Sequence, residues 1–185
     1  MSEARLRILR AAHDLFCANG FNGTSLKQVT ARSGLPTGSV YHHFPGGKQA
    51  LGVEVIQHFG AEYGERVLTL AAQEADAASA VRCIFQGAAA VVEELGFVDP
   101  CPVGGIARES ASSSSEMAQA ADDVFQSWVL ALTDLLRGDQ ALAVTVVAAI
   151  EGGFTLSRAR RSGEPLRQIG EALSRLAEGV AGNSS

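Results

Sequence analysis

Between Thr37 and Lys48 the chain gathers side chains that hydrogen-bond from close to the backbone: Thr37, Ser39, Tyr41, His42 and His43, with Lys48 just beyond. Gly38 stands among them and adds no bulk. The set has no nucleophile–base order and no metal-ligand spacing. Its chemistry is recognition, in which hydroxyls, an imidazole and an ammonium meet anionic oxygens and the edges of flat rings. Val40 and Phe44, four residues apart, are the apolar anchors that would face inward.

Positioning such a set takes short, well-stopped helices. The spacing of Ile8, Leu9, Ala12, Leu15 and Phe16 predicts a first helix over 3–19, ended by Gly20 as a left-handed C′ residue. Ser25 with Gln28 forms a capping box and opens a second helix over 26–33, with Gly34 as its stop. Pro36 keeps Leu35 out of the helical region, and a short third helix follows over 37–44 until Pro45-Gly46-Gly47. Two short helices joined by a glycine-containing turn make a helix-turn-helix, whose second member enters a major groove. Its outer face must be short and polar, because long side chains would hold the backbone away from DNA.

The stretch "ILRAAHDLFCANGFNGTSLKQVTARSGLPTGSVYHHFPGGKQAL" (8–51) resembles the DNA-binding head of the TetR/AcrR family of transcriptional regulators. The hallmarks stand in order: Gly20-Phe21, Thr24-Ser25, Gly34, Gly38-Ser39-Val40-Tyr41, His43-Phe44 and Lys48 with Leu51. The longer "FPGGK" and the later "CPVGG" (101–105) are similar to the LmrA/YxaF-like branch. The resemblance implies Ser25, Thr37, Gly38, Ser39, Tyr41, His42 and Lys48 as DNA contacts. Lys27 is either a further phosphate contact or a solvated charge, and His43 is read as structural. Pro36 departs from the family's usual Ser or Thr, so no side chain caps the third helix there. Thr37 stands where a basic residue is frequent.

The rest of the chain predicts more helices: 48 to past 65 with a Leu51, Val55, Phe59, Tyr63 stripe, then 77–95, 103–110, 116–137, 140–161 and 166–180. Asp76, and Ser113 with Glu116, are caps, Pro165 sits at a helix start, and 181–185 is a frayed tail. The fold class is all-α, about nine helices: a three-helix head (1–48) joined by the fourth helix to an effector-binding and dimerisation domain (49–185). The break "LGFVDPCPVGGIARES" marks a mostly apolar effector pocket drawn from Phe97, Cys101, Val103, Ile106, Arg108, Phe125, Trp128 and Phe154, with Glu109 as a second polar group. Ala149, Gly152, Gly153 and Leu156 form a smooth face for a partner helix, and the family resemblance implies a homodimer through the last two helices.

Charge and cysteine usage narrow the classes. Through residue 60 there are six basic and three acidic residues, net +3, while the remainder carries nine basic and seventeen acidic, net −8. A basic head on an acidic body suits a protein that meets phosphates at one end only. Three widely spaced cysteines form no disulfide framework and fit a reducing cytoplasm. The apolar run 141–150 is too short to cross a bilayer, and the charged N-terminus is no signal peptide. His13 and Cys17, four apart, make half a metal site without a second pair, so neither metal nor cofactor is expected. The reading is a cytoplasmic regulator, most simply a repressor, that binds an inverted-repeat operator on double-stranded DNA as a homodimer and is released by a small, mostly apolar effector. The alternatives are a sensor-less or redox-responsive DNA-binding regulator, or an enzyme of unknown class.

Overall fold

A computed structural model describes residues 1–110 and 114–180. Among them the chain is helical, with no strand: α1 (Glu3–Asn19), α2 (Leu26–Ser33), α3 (Thr37–His43), α4 (Gly47–Ala71), α5 (Ala77–Glu94), α6 (Pro102–Ser110), α7 (Ser115–Leu135), α8 (Gln140–Arg160) and α9 (Glu164–Val180). Ser113 and the tail 181–185 fall outside the described residues. Ser114 takes the capping role, its Oγ accepting from the Met117 N–H at 3.4 Å.

Two compact units emerge. The first comprises Met1–Ala61 and Cys101–Val124. Its core is the apolar stripe of α1 (Ile8, Leu9, Ala12, Phe16) closed by Val29, Val40, Phe44, Leu51, Val55 and Ile56, all buried. Burying each Leu, Ile or Phe is worth about 1.5–3 kcal/mol. The Ser25–Gln28 capping box is formed and Gly34 adopts the left-handed conformation. Gly20 has a positive φ of 78° but a ψ of 164°, an extended glycine-only conformation rather than the left-handed helical one expected. On α4, Gly52 lies against Met117 and Phe21, and Gly60 against Val124 and Val103. A side chain at either position would force these neighbours away. Of the predicted α4 stripe, Leu51 and Val55 are fully buried while Phe59 is half-buried.

The second unit comprises Glu62–Pro100 and the chain from Phe125 onward. Alanine-rich α5 packs with α8 and α9, and small residues bring the helices close. Gly170 of α9 faces Phe85, and Gly153 of α8 faces Leu166. The Glu93 carboxylate accepts from the Gly163 N–H at 2.8 Å and from Arg167 at 2.6 Å, fixing the start of α9. α5 ends in a Schellman turn: the Phe97 N–H reaches Val92 O at 2.8 Å, with Gly96 and Phe97 both at positive φ (62° and 67°). Arg158 then ties this turn to the end of α8 through Asp99 at 2.8 Å and Phe97 O at 3.3 Å, and the Arg161 guanidinium lies over the Phe97 ring.

The apolar run 141–150 is part of a 21-residue helix. By length and composition alone α8 is long enough to cross a membrane, contrary to what the run suggested. One side of it is buried through Leu142, Ala143, Val146, Ile150 and Phe154.

Candidate nucleic-acid interface

α3 is held by two inward side chains. Val40 is 0% and Phe44 1% exposed, and the Phe44 N–H closes the helix on Val40 O. Most of the remaining side chains of the helix turn outward. Thr37, Gly38 and His42 are exposed, Ser39 is half-buried, and Tyr41 is 52% exposed, unusual for so large a ring. Pro36 occupies the N-cap with no side-chain bond. The amide of Ser39 is taken by Pro36 O at 2.9 Å. Ser25 and Lys27, on the first turn of α2, are also exposed. The Ser25 hydroxyl already bonds Gln28 Oε1 at 2.7 Å. His43 is half-buried, its ring edge-to-face with His42 at 5.0 Å and its carbonyl held by Arg5 at 2.5 Å.

The basic residues divide in a way the sequence did not reveal. Arg5 pairs with Glu54 and its guanidinium lies 4.6 Å from the Phe44 ring centroid. Arg7 donates to Ser33 O at 2.7 Å. Arg32 bonds Asp14 at 2.6 Å. Three of the six basic residues thus knit α1 to its neighbours. Asp14 is held below the ordinary carboxylate range. Burial pushes it up, but hydrogen bonds from Arg32 and His13 outweigh that. Lys48, near the start of α4, folds back so that its ammonium lies 4.4 Å from the Phe21 ring centroid. Burial pulls its pKa down, opposed by the charge of Glu109.

The eight residues read as pocket lining divide between the two units. Cys101, Val103 and Ile106 are buried on α6 and its cap, where the Cys101 Sγ accepts from the Gly104 N–H at 3.4 Å, and Arg108 is exposed on α6. Phe97, Phe125, Trp128 and Phe154 belong to the second unit. There a small apolar cavity of about 30 Å³ opens among α4, α5, α7 and α8. Trp128 lines it, together with Tyr63, Gly64, Val67, Leu68, Ile84, Leu132, Val147 and Ile150, none of which was read as pocket lining. Tyr63 and Trp128 set their rings 5.7 Å apart, and Phe125 meets Trp128 edge-on at 5.4 Å. Gly64 leaves α4 bare where the indole lies. Gly52, Gly60 and Gly64, at multiples of four, were the available signal for these close approaches. Of the four residues read as a partner face, Gly152 and Leu156 (51%) point outward, Ala149 is half-buried, and Gly153 is turned into the chain's own α9. Val144 on α8 and Leu176 on α9 are further exposed apolar side chains, at 50% and 60%.

Comparison with known proteins places this arrangement. Residues 8–55 match the family model for bacterial regulatory proteins of the tetR family, and residues 77–172 match that for the C-terminal domain of LmrA/YxaF-like transcriptional regulators. The chain is 28% identical over 178 residues to the HTH-type transcriptional regulator LmrA of Bacillus subtilis, covering 92% of this chain and 95% of that protein. It is equally identical to the HTH-type regulator YxaF of the same organism, over 92% and 93%. Its fold is similar to a crystal structure of a TetR regulatory protein from Rhodobacter sphaeroides, with a TM-score of 0.85 at 21% identity over 94% and 98% of the two chains. The chain belongs to the TetR family of DNA-binding transcriptional regulators, and its body is of the LmrA/YxaF-like type.

Proposed function

We propose that the protein is a repressor that binds an inverted-repeat operator as a homodimer, with residues 1–48 meeting DNA and residues 49–185 serving dimerisation and effector binding. The observation that carries this reading is the outward face of α3, polar and exposed while Val40 and Phe44 are buried beneath it. Gly38 and Ser39 allow close approach to the groove floor. Thr37, Tyr41 and His42 supply donors for phosphates or base edges, and Ser25, Lys27 and Lys48 flank them. A dimer formed through α8 and α9 would cover Val144, Gly152, Leu156 and Leu176. It would present two α3 helices about one turn of DNA apart, roughly 34 Å, which demands a two-fold symmetric site. The protein would act in the cytoplasm.

The effector is small and largely apolar, because the walls of the cavity around Trp128 are carbon-rich. At about 30 Å³ the cavity holds only about one or two waters, so the effector must select a wider conformation and release DNA by its differential affinity for that state. α4, which carries both Lys48 and the cavity residues Tyr63 to Leu68, is the element that would convey the change.

The test is footprinting on the DNA upstream of the protein's own gene and its neighbours, with Tyr41→Ala and Lys48→Ala as controls. A protected palindrome, lost in both variants, is expected. Equal binding to scrambled duplex at moderate salt would overturn the specific-regulator reading.

A further inference from the structure

The loop between α1 and α2 is gripped by a residue from a distant part of the chain. The Asn22 N–H donates to Glu109 Oε2 at 2.7 Å, across 87 residues of sequence. The other carboxylate oxygen lies where a side chain on Gly20 would stand, and a methyl there would collide with it. Gly20's φ of 78° and ψ of 164° are open only to glycine, so the backbone and the missing side chain together make a seat for the carboxylate. Phe21, between the two seat residues, carries the Lys48 ammonium over its ring at 4.4 Å. Three residues therefore bring Glu109 and Lys48 to one place. The loop is otherwise fixed, since the Thr24 hydroxyl bonds Gly20 O at 2.9 Å and Leu15 O at 3.1 Å. It leads directly into Ser25, the cap of α2.

We propose that Glu109 is a built-in competitor of DNA for Lys48: seated on Gly20 and Asn22, its carboxylate keeps the Lys48 ammonium folded over Phe21, and DNA must draw that ammonium away to use it. The inference rests on the reading of Lys48 as a phosphate ligand. Glu109 sits in the last turn of α6, and its charge opposes the loss of proton affinity that burial imposes on Lys48. Glu109 is thus a positioning residue that weakens the head's hold on DNA while ordering the loop beside it. A purely structural Glu109 would do only the second.

Glutamine separates the two roles, because its amide oxygen can still accept from the Asn22 N–H while the charge is gone. Affinity is measured for a duplex recovered from a randomised pool by the wild-type protein, with a shuffled duplex as control. Glu109→Gln should bind about two- to fivefold more tightly than wild type at low salt, the range of a partly exposed charge pair. In a Lys48→Met background the same change should give no gain. Equal or weaker binding by Glu109→Gln, or an equal gain in both backgrounds, overturns the inference. Lys48→Met leaving affinity and its salt dependence unchanged overturns the phosphate-ligand reading on which it rests. A second measurement needs no variant. In free wild-type protein the Lys48 ε-methylene protons should be shifted upfield by the Phe21 ring, and the selected duplex should abolish that shift. A shift that persists in the complex overturns the inference.

Discussion

α3 and α8 both leave one side uncovered, and they do so in opposite chemical currencies. The bare side of α3 carries hydroxyls, an imidazole and a glycine around Tyr41, set on two buried anchors. The bare side of α8 carries Val144, Gly152 and Leu156, an apolar strip on a helix whose other side is core. A polar surface built from short side chains loses little by remaining in water and gains when a polyanion with matching acceptors arrives. An exposed apolar strip gains only when another apolar surface covers it. The same helical geometry can therefore suit two kinds of partner, and the outward composition decides which.

The contrast can be broken first at its anchor. Phe44→Ala should cost the head about 3–5 kcal/mol and abolish DNA binding, while the proposed dimer persists in sedimentation. Loss of the dimer as well would mean that the two surfaces are not separable. Next in size, Leu156→Glu places a charge in the apolar strip. It should weaken self-association by about 2–4 kcal/mol, read as a monomer in sedimentation at micromolar concentration, with helicity retained. An unchanged dimer would place the partner elsewhere. On the α3 side, Tyr41→Ala should cost about 1–3 kcal/mol in operator affinity. Lys27→Ala should weaken binding evenly across sequences and flatten the salt slope by about one unit.

The smallest effect concerns the ion pairs that hold the head together. The Asp14 carboxyl is depressed in the fold, so its contribution is complete above the unfolded-chain value near 3.8 and is lost as pH falls through the lower folded value. Because the pair with Arg32 is about half exposed, Asp14→Asn should cost less than about 1 kcal/mol at neutral pH. Urea titrations of wild type and variant should converge under strongly acidic conditions. A gap that persists there would mean that packing, not charge, is lost.

Local chemistry made the helices readable. Ser25 and Gln28 cap one another across three residues, Gly34 needs its left-handed turn, and Asp76 accepts from Ser79 N at 2.8 Å. Each of these is settled by near neighbours in sequence. The inward pair of α3, Val40 and Phe44, followed from helical period alone. Partners chosen across the fold were hidden. In the sequence Arg5 is only one more basic residue of the head; the fold sets Glu54, forty-nine residues away, beside it. Glu109 reads as a polar group of the pocket until Asn22 is seen to hold it. The cavity was hardest to read, because lining and core use the same residues. Val103 and Ile106 are buried by packing alone, whereas Val67 and Leu132 border open space, and no pattern of apolar residues distinguishes them.

The chain has a single tryptophan, and it stands in the wall of the cavity, against Tyr63 and the bare backbone of Gly64. The protein thus carries its own optical probe where an effector would lodge. Light emitted by that one indole should shift in colour or dim when the surrounding carbon walls part or are filled. A library of small molecules can be screened by emission alone, with no label and no knowledge of the operator.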